Sequence, residues 1–336
     1  MRIILVGLGA LGQGLLGHLG EQADSLLDAY GLRAKIVAAL DTSGAVVQPA
    51  GLDPAVLLRT KRSRGGLAGL QPYFRPGRRA LEIIHTVDAD AVVEVTPTNI
   101  LDGEPAMSHI RGALKARRHV VTANKGPIVL AMGYLTSLAE EMGAILRFSG
   151  TVGGGTPMLD LARHSLRGDR VVSIAGIVNG TTNYILTRMG EGLAFEEALE
   201  QAKKLGYAEA NPAYDVEGTD AAIKLAILSN WAMGTRLRVT DVSARGIKEV
   251  TLADIERAQA QGKVIKLIAR CDGKVASVQP ELIPKTDPLN VPGPLNAVTY
   301  TTENVGPITL VGKGAGGRET AGALLRDLID IHLRSK

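Results

Sequence analysis

The sequence predicts an α/β protein of two domains, a dinucleotide-binding domain followed by an α+β domain. Three observations carry this. A short apolar strand, Arg2–Val6, runs directly into Gly7-Leu8-Gly9-Ala10-Leu11-Gly12 and a helical segment. Apolar strand-like runs then alternate with helical stretches as far as about residue 145, the pattern of a parallel sheet with helices on its faces. Beyond residue 260 the pattern changes to strand after strand: Lys263–Cys271, 274–283 and 297–302 alternate, with Asp272-Gly273 as a hairpin turn. A chain of 336 residues is long enough for two such cores.

The elements of the first domain place its candidate residues. Strand, glycine turn and helix in immediate succession form the dinucleotide fingerprint of a Rossmann domain. Gly7, Gly9 and Gly12 permit the tight turn, and the backbone of Gly9, Ala10 and Leu11 meets a pyrophosphate at the helix N-terminus. The next strand, 34–40, ends at Asp41, where an acid accepts hydrogen bonds from the adenosine ribose. The interval from Gly12 to Asp41 exceeds the usual ~20 residues, so the crossover helix is long or is extended by residues 25–32. Asp41 favours NAD. The acid-free stretch 54–81 carries Arg59, Lys61, Arg62 and Arg64, which could instead hold the 2′-phosphate of NADP, and both readings stand. Strand 91–95 opens into Thr96-Pro97-Thr98, and His119–Thr122 opens into Ala123-Asn124-Lys125-Gly126-Pro127. Ligands of open α/β sheets bind beyond the carboxyl ends of the strands, so Thr96, Pro97, Thr98 and Lys125 fall where nicotinamide and substrate should meet.

Strand 144–148 leads to Ser149-Gly150-Thr151-Val152-Gly153-Gly154-Gly155-Thr156, whose glycines expose carbonyl oxygens of the kind a hard cation takes; a tight turn between domains accounts for them equally. Strand 171–178 then leads to Asn179-Gly180-Thr181-Thr182-Asn183-Tyr184, small polar residues suited to lining a pocket for a polar metabolite. The stretch 202–225 follows, with Glu209, Asp215, Glu217, Asp220 and Lys224 close together. Gly206, Asn211-Pro212 and Gly218 break regular structure there, so Glu209 and Asp215 belong to a loop before a helix that carries Asp220 and Lys224 on one face.

Composition narrows the chemistry. The chain is 45% hydrophobic and only 3% aromatic with a net charge of +4, which gives no stacking platform for nucleic acid. No run of about 18 apolar residues exists to span a membrane, and the N-terminal glycines are unlike a signal peptide, so a cytoplasmic location is expected. Cys271 is the only cysteine, which excludes cysteine-ligated zinc and a redox pair, and its place beside a hairpin makes it a poor nucleophile. No tyrosine has a lysine four residues later, and the six histidines do not cluster. Lysine is left as the acid–base group for a hydride-transfer reaction, and it needs burial or a nearby cation to act near neutral pH.

The run Ala202-x3-Gly206-Tyr207-x2-Ala210-Asn211-Pro212-x2-Asp215-Val216-x-Gly218-x-Asp220-x3-Lys224 resembles the homoserine dehydrogenase signature, as do NGTTNYIL at 179–186, GTVGGG at 150–155 and GKGAGG at 312–317. The resemblance covers essentially the whole chain. It implies NAD(P)-linked interconversion of L-homoserine and L-aspartate 4-semialdehyde, on the aspartate-derived route to threonine and methionine. Lys224 would be the proton donor and acceptor with Lys125 assisting. Glu209 and Asp220 would hold the substrate ammonium, Asp215 would brace Lys224 or the loop, and Gly180 and Thr181 would contact substrate. Gly206 and Gly316 would approach the cofactor. The family binds sodium through carbonyls that map to Ser149, Val152, Gly154 and Thr156; many relatives have an acid where this chain has Ser149, though carbonyl ligation does not depend on that side chain. The resemblance further implies a homodimer formed by the sheet of the second domain. The order of elements sets bounds of 1–145 plus 310–336 for the first domain and 146–309 for the second. A C-terminal regulatory domain, and feedback control through one, are not expected.

Overall fold

The structure is a computed structural model that describes residues 1–209 and 211–335, and the counts below are of those residues. Ala210, part of the signature, lies outside them. The chain divides into two compact units, Met1–Thr151 with Gly316–Lys336, and Val152–Ala315.

The strands of the first unit are β1 (Arg2–Val6), β2 (Lys35–Asp41), β3 (Gly44–Leu52), β4 (Phe74–Pro76), β5 (Ala91–Glu94), β6 (His119–Thr122) and β7 (Leu146–Arg147). They form one sheet in the order β4-β3-β2-β1-β5-β6-β7, parallel from β2 through β7. Its helices are α1 (Ala10–Glu21), α2 (Ala23–Tyr30), α3 (Pro54–Arg64), α4 (Ala80–Thr86), α5 (Ala106–Lys115) and α6 (Lys125–Glu141). The long interval before Asp41 is filled by two helices, α1 and α2, with Gly31 in the left-handed conformation ending the second. Ile3, Leu5, Ala91, Val93 and Val121 on the sheet pack with Leu15, Leu16 and Leu19 of α1.

Strands β3 and β4 were not legible as strands. They add antiparallel edges beyond β2, and the hairpin turns at Gly44, whose φ is +140° and whose Cβ would stand 2.6 Å from the Arg75 carbonyl oxygen. Only glycine fits there.

The second unit begins with α7 (Met158–Asp160) and contains β8 (Val171–Ile177), α8 (Gly180–Gly190), α9 (Phe195–Lys204), α10 (Ala213–Val216) and α11 (Thr219–Met233). β9 (Ser243–Ala244), α12 (Leu252–Ala260), β10 (Lys263–Cys271), β11 (Ala276–Pro284), β12 (Leu295–Thr302) and β13 (Gly306–Lys313) follow. The sheet order is β13-β12-β8-β10-β11-β9, antiparallel except for the short β11–β9 pair. Helix α13 (Gly317–Arg334) returns to the first unit, where it packs Ala321, Leu324, Leu325 and Leu328 into the core shared with α1.

The unit bounds differ from 145 and 310. The first unit runs to Thr151 because Ser149 is tied to Asp327 of α13, by its backbone N–H at 2.9 Å and its hydroxyl at 2.7 Å. The second runs to Ala315 because residues 306–313 form β13 against β12 along its whole length, so that the glycine turn read at 312–317 begins inside a strand.

Candidate active site

In the first unit the glycine turn stands at the carboxyl ends of β1, β2 and β5, where open α/β sheets take their ligands. These ends are locked in register by the Gly7 N–H to the Leu40 carbonyl at 3.0 Å and the Val95 N–H to the Val6 carbonyl at 2.9 Å. Gly7 has φ +107° and its Cβ would meet the Val95 oxygen at 2.6 Å; a Cβ on Gly12 would meet the Gly7 oxygen at 2.1 Å. Packing therefore demands both glycines. Gly9 differs: its φ is −74°, and a Cβ there would have nothing within 4 Å. Neither backbone conformation nor protein packing requires glycine at this helix N-cap. The open space left at the N-terminus of α1 suits a pyrophosphate that must approach Ala10 and Leu11 closely. Gly317, the first residue of α13, lies against Ala10, since its Cβ would stand 3.0 Å from the Ala10 Cβ. Gly316, the cap of α13, has φ +122°.

Asp41 ends β2 in a polar clamp. Its carboxylate accepts from Lys61 Nζ at 2.6 Å, the Ser43 N–H at 2.8 Å and the Ser43 hydroxyl at 2.5 Å. Burial opposes its ionisation, but the bonds from Lys61 and Ser43 outweigh it and hold the carboxyl below its usual range. Lys61 is thus the member of the basic stretch that reaches Asp41 among the described residues.

The loops after β5 and β6 are fastened to one another. Asn124 caps α6, accepting from the Gly126 N–H at 3.2 Å, and its amide donates to the carbonyls of Thr96 and Pro97 at 3.1 and 3.2 Å. Glu94, fully buried, accepts from the Thr96 hydroxyl and, at 3.2 Å, from its N–H, with His109 Nδ1 3.6 Å away. Gly126 admits no side chain, because a Cβ would stand 2.0 Å from the Asn99 oxygen. The bracing positions Thr96, Pro97 and the half-buried Lys125, which begins α6. Thr98 is exposed. Sequence reading missed Glu94, whose one signal is a lone acid inside the apolar run 91–95.

In the second unit a polar cluster gathers at the carboxyl end of β8. Asn179 caps α8, accepting from the Thr182 N–H at 2.9 Å, while its amide donates to Asp215 at 2.6 Å and to Asp220 at 3.0 Å. Lys224 lies one helical turn beyond Asp220 on α11, with Nζ 2.7 Å from that carboxylate and 2.8 Å from the Val178 carbonyl oxygen. The two side chains are 12% and 9% exposed, so this pair is largely desolvated. Burial pushes the Asp215 carboxyl up and neighbouring Asp220 adds to it, against the Asn179 bond and the charge of Lys224. Two carboxylates, one ammonium and a bridging amide make an arrangement that can take a cationic group and transfer a proton.

Other predicted residues fall around this cluster. Gly180 opens α8; Thr181, buried, donates its hydroxyl to the Tyr207 carbonyl at 2.5 Å. That bond carries the Gly206 turn, where φ is +75° and a Cβ would have nothing within 4 Å. Asp215 stands on the short helix α10 rather than in an irregular loop. Glu209 is in the loop, exposed, and no hydrogen bond or ion pair joins it to the cluster among the described residues. Asn179 is the residue the sequence undervalued: it reads there as one of several small polar residues lining a pocket, and its bridge to two carboxylates exists only once α10 and α11 pack beside it.

Of the four carbonyl positions, Ser149 belongs to the first unit and Val152, Gly154 and Thr156 to the second. The intervening turn has φ +80° at Gly153 and +53° at Gly154, and Cβ atoms there would meet the oxygens of Thr156 and Gly314 at 2.7 Å. Packing alone accounts for both glycines.

Residues 157–329 match the family profile described as homoserine dehydrogenase. The homoserine dehydrogenase of Methanocaldococcus jannaschii is 43% identical over the full length of both chains. The chain belongs to the homoserine dehydrogenase family. Residues 9–124 also match the profile of the glutamate/leucine/phenylalanine/valine dehydrogenases. A relative from Pseudomonas canavaninivorans, named as an NAD(+)-dependent homoserine dehydrogenase, is 42% identical over 98% of this chain and 96% of its own. The solved structure of a hyperthermophilic archaeal homoserine dehydrogenase in complex with NADPH superposes with a TM-score of 0.87 at 30% identity, covering 99% of this chain and 98% of that one. As a homoserine dehydrogenase, this enzyme is an NAD(P)-dependent oxidoreductase that interconverts L-homoserine and L-aspartate 4-semialdehyde. Among the described residues no helix is long and apolar enough to cross a membrane.

Proposed function

We propose that Lys224 moves the proton at the substrate oxygen, with Lys125 assisting from the dinucleotide-binding unit. The observation that carries this is the double anchorage of Lys224, whose Nζ is held by Asp220 and by the Val178 carbonyl at the strand end beside α8. Bound NAD(P) supplies the hydride acceptor or donor. In the reductive direction the ammonium of Lys224 gives a proton to the aldehyde oxygen as the carbonyl carbon takes hydride; in oxidation the alcohol proton returns to Nζ. Asp220 and Asp215 face the substrate ammonium with Glu209 closing from its loop, and Gly180 and Thr181 flank the α-carboxylate at the N-terminus of α8. Gly9, Ala10 and Leu11 would hold the pyrophosphate, Asp41 the ribose, and Thr96, Pro97 and Thr98 the nicotinamide end, with Gly206 and Gly316 as further cofactor-binding residues. Incubation with L-homoserine and either NAD or NADP, followed at the absorbance of the reduced cofactor, tests this reading; no reduction with both would overturn it.

Three further features belong to the same proposal. A sodium ion on the carbonyls of Ser149, Val152, Gly154 and Thr156 would make activity fall when choline replaces sodium at constant ionic strength. A homodimer is supported by the sheet face bearing Ser173, Ala175, Thr299, Thr301 and Thr309, which stays partly exposed. It predicts sedimentation at twice the chain mass of 35.3 kDa. We also place the enzyme in the cytoplasm, with neither nucleic acid nor membrane as partner.

A further inference from the structure

Asn296, near the start of β12, presents an anomaly that the proposed mechanism does not use. It is fully buried, and neither its amide nitrogen nor its amide oxygen has a hydrogen-bond partner among the described residues. Native proteins rarely leave both ends of a buried amide unpaired, because each loses its bonds to water and gains nothing in return. The position in the fold makes this more than a local defect. Strands β12 and β8 pair as far as Ala297 with Ile177, so one residue further on each strand stand Asn296 and Val178. Val178 is the residue whose carbonyl anchors Lys224. On its other side the Asn296 amide lies flat against Gly314: a Cβ on that glycine would fall 2.0 Å from both the amide carbon and nitrogen. Gly180, the first residue of α8, is also adjacent, since its Cβ would be 3.5 Å from the Asn296 oxygen.

Gly314 starts the turn by which the chain leaves the second unit at Ala315 and enters the first at Gly316. α13 begins directly after that turn, with its first residue Gly317 packed against Ala10 in the proposed pyrophosphate loop. One covalent turn therefore connects the cofactor-binding backbone to the unpaired amide beside the lysine anchor. Glycines at 314 and 316 leave this turn free to change its peptide orientations, and each rotated peptide would offer the amide an N–H or a C=O.

We propose that Asn296 is a positioning residue for the dehydrogenase reaction: its amide gains hydrogen bonds from the backbone of the turn at 313–316 when the dinucleotide is bound, and in doing so it fixes the strand end that holds Lys224. The proposal rests on the assignment of Lys224 and of the dinucleotide loop given above. It explains why a polar side chain occupies a fully buried position and why the neighbouring residue at 314 has no side chain.

The test compares Asn296→Leu, which keeps the volume and removes both polar ends, with Asn296→Gln and with the parent enzyme. Thermal unfolding is measured with and without saturating NAD or NADP, followed by steady-state kinetics with L-homoserine. For Asn296→Leu the free enzyme should melt no lower than the parent, because no existing bond is lost. The rise in melting temperature that cofactor gives the parent should shrink by half or more, and kcat/KM for homoserine should fall 10- to 100-fold. Asn296→Gln should recover part of the cofactor-induced rise. A lower melting temperature of free Asn296→Leu would mean that the amide is already paired in the free enzyme, through a buried water or otherwise, and would overturn the proposal. Parent-like kinetics and a parent-like response to cofactor would overturn it as well. Absence of turnover in the parent would instead refute the assignment of the reaction, so the two failures are distinguishable.

Discussion

Replacement of Lys224 by methionine separates chemistry from architecture more sharply than any other single change. The substitution keeps the length of the side chain and removes its charge. It deletes the 2.7 Å ion pair to Asp220 and the 2.8 Å bond to the Val178 carbonyl. Because the paired side chains are only 12% and 9% exposed, solvent cannot replace the lost ammonium, and breaking such a pair costs about 3–5 kcal/mol. The bond from Asn179 to Asp220 survives, and burial of the methionine stem offsets roughly 1 kcal/mol. A net loss of about 2–4 kcal/mol should lower the unfolding midpoint of the second unit by roughly 5–15 °C. Trp231 on α11 is the only tryptophan in the chain, so its fluorescence reports that unit. Turnover of homoserine should fall by about 10²–10⁴, the range associated with a general acid–base group, while titration with NADH or NADPH should give parent-like affinity. Turnover within about threefold of the parent, in a variant that binds cofactor normally, would refute the role given to Lys224.

The remaining predictions concern the dinucleotide loop and two carboxylates. Gly9→Ala should leave free-enzyme stability within about 0.5 kcal/mol of the parent yet weaken cofactor binding at least tenfold. Gly7→Ala, with φ +107° and a Cβ 2.6 Å from a carbonyl oxygen, should destabilise by more than about 2 kcal/mol; urea titration and cofactor titration distinguish them. Lys61→Ala should cost about 1–2 kcal/mol at pH 7. Asp41 is held below its unfolded pKa, so its contribution is complete above the ordinary carboxylate range and is lost as pH falls through the folded value. The gap between variant and parent should therefore close in acid. Asp215 has the opposite sign: burial raises its folded pKa, so ionisation erodes stability as pH climbs through that value. Asp215→Asn, which preserves an acceptor for the Asn179 amide, should be the more stable protein by roughly 1 kcal/mol at pH 8 with no advantage below the unfolded carboxylate range, and should show a higher KM for homoserine.

Several of these residues are legible without coordinates for a definable reason. Gly7 to Gly12 follow a strand and open a helix, so their meaning is contained in a dozen consecutive residues. Asp220 and Lys224 share a helix face by spacing alone, and the structure pairs them. The interval between Gly12 and Asp41 calls for a long or extended crossover helix, and the structure fills it with two, α1 and α2. By contrast β3 escapes detection because Pro49 and Gly51 interrupt its pattern and its partner β4 is three residues long. β13 escapes because its last residues, Gly312 and Lys313, read with the glycines that follow as a turn when only local sequence is weighed.

What the sequence determined by itself was thus the make-up of short, contiguous segments: a strand, glycine turn and helix in succession, an acid and a lysine on one face of α11, and a single cysteine. Tertiary structure alone decided which separated residues act on one another. Asn179 bridges Asp215 and Asp220 across 36 and 41 residues of chain. Lys224 finds its second anchor in a carbonyl 46 residues away, and Asp41 finds Lys61 rather than any of the neighbouring arginines. Such bonds depend on how strands register and helices pack, and that is settled by burial of the whole core rather than by the residues that form the bond. The unpaired amide of Asn296 belongs to the same class: in sequence it is one polar residue at the start of a strand, and only the fold brings it between the lysine anchor and the glycine turn.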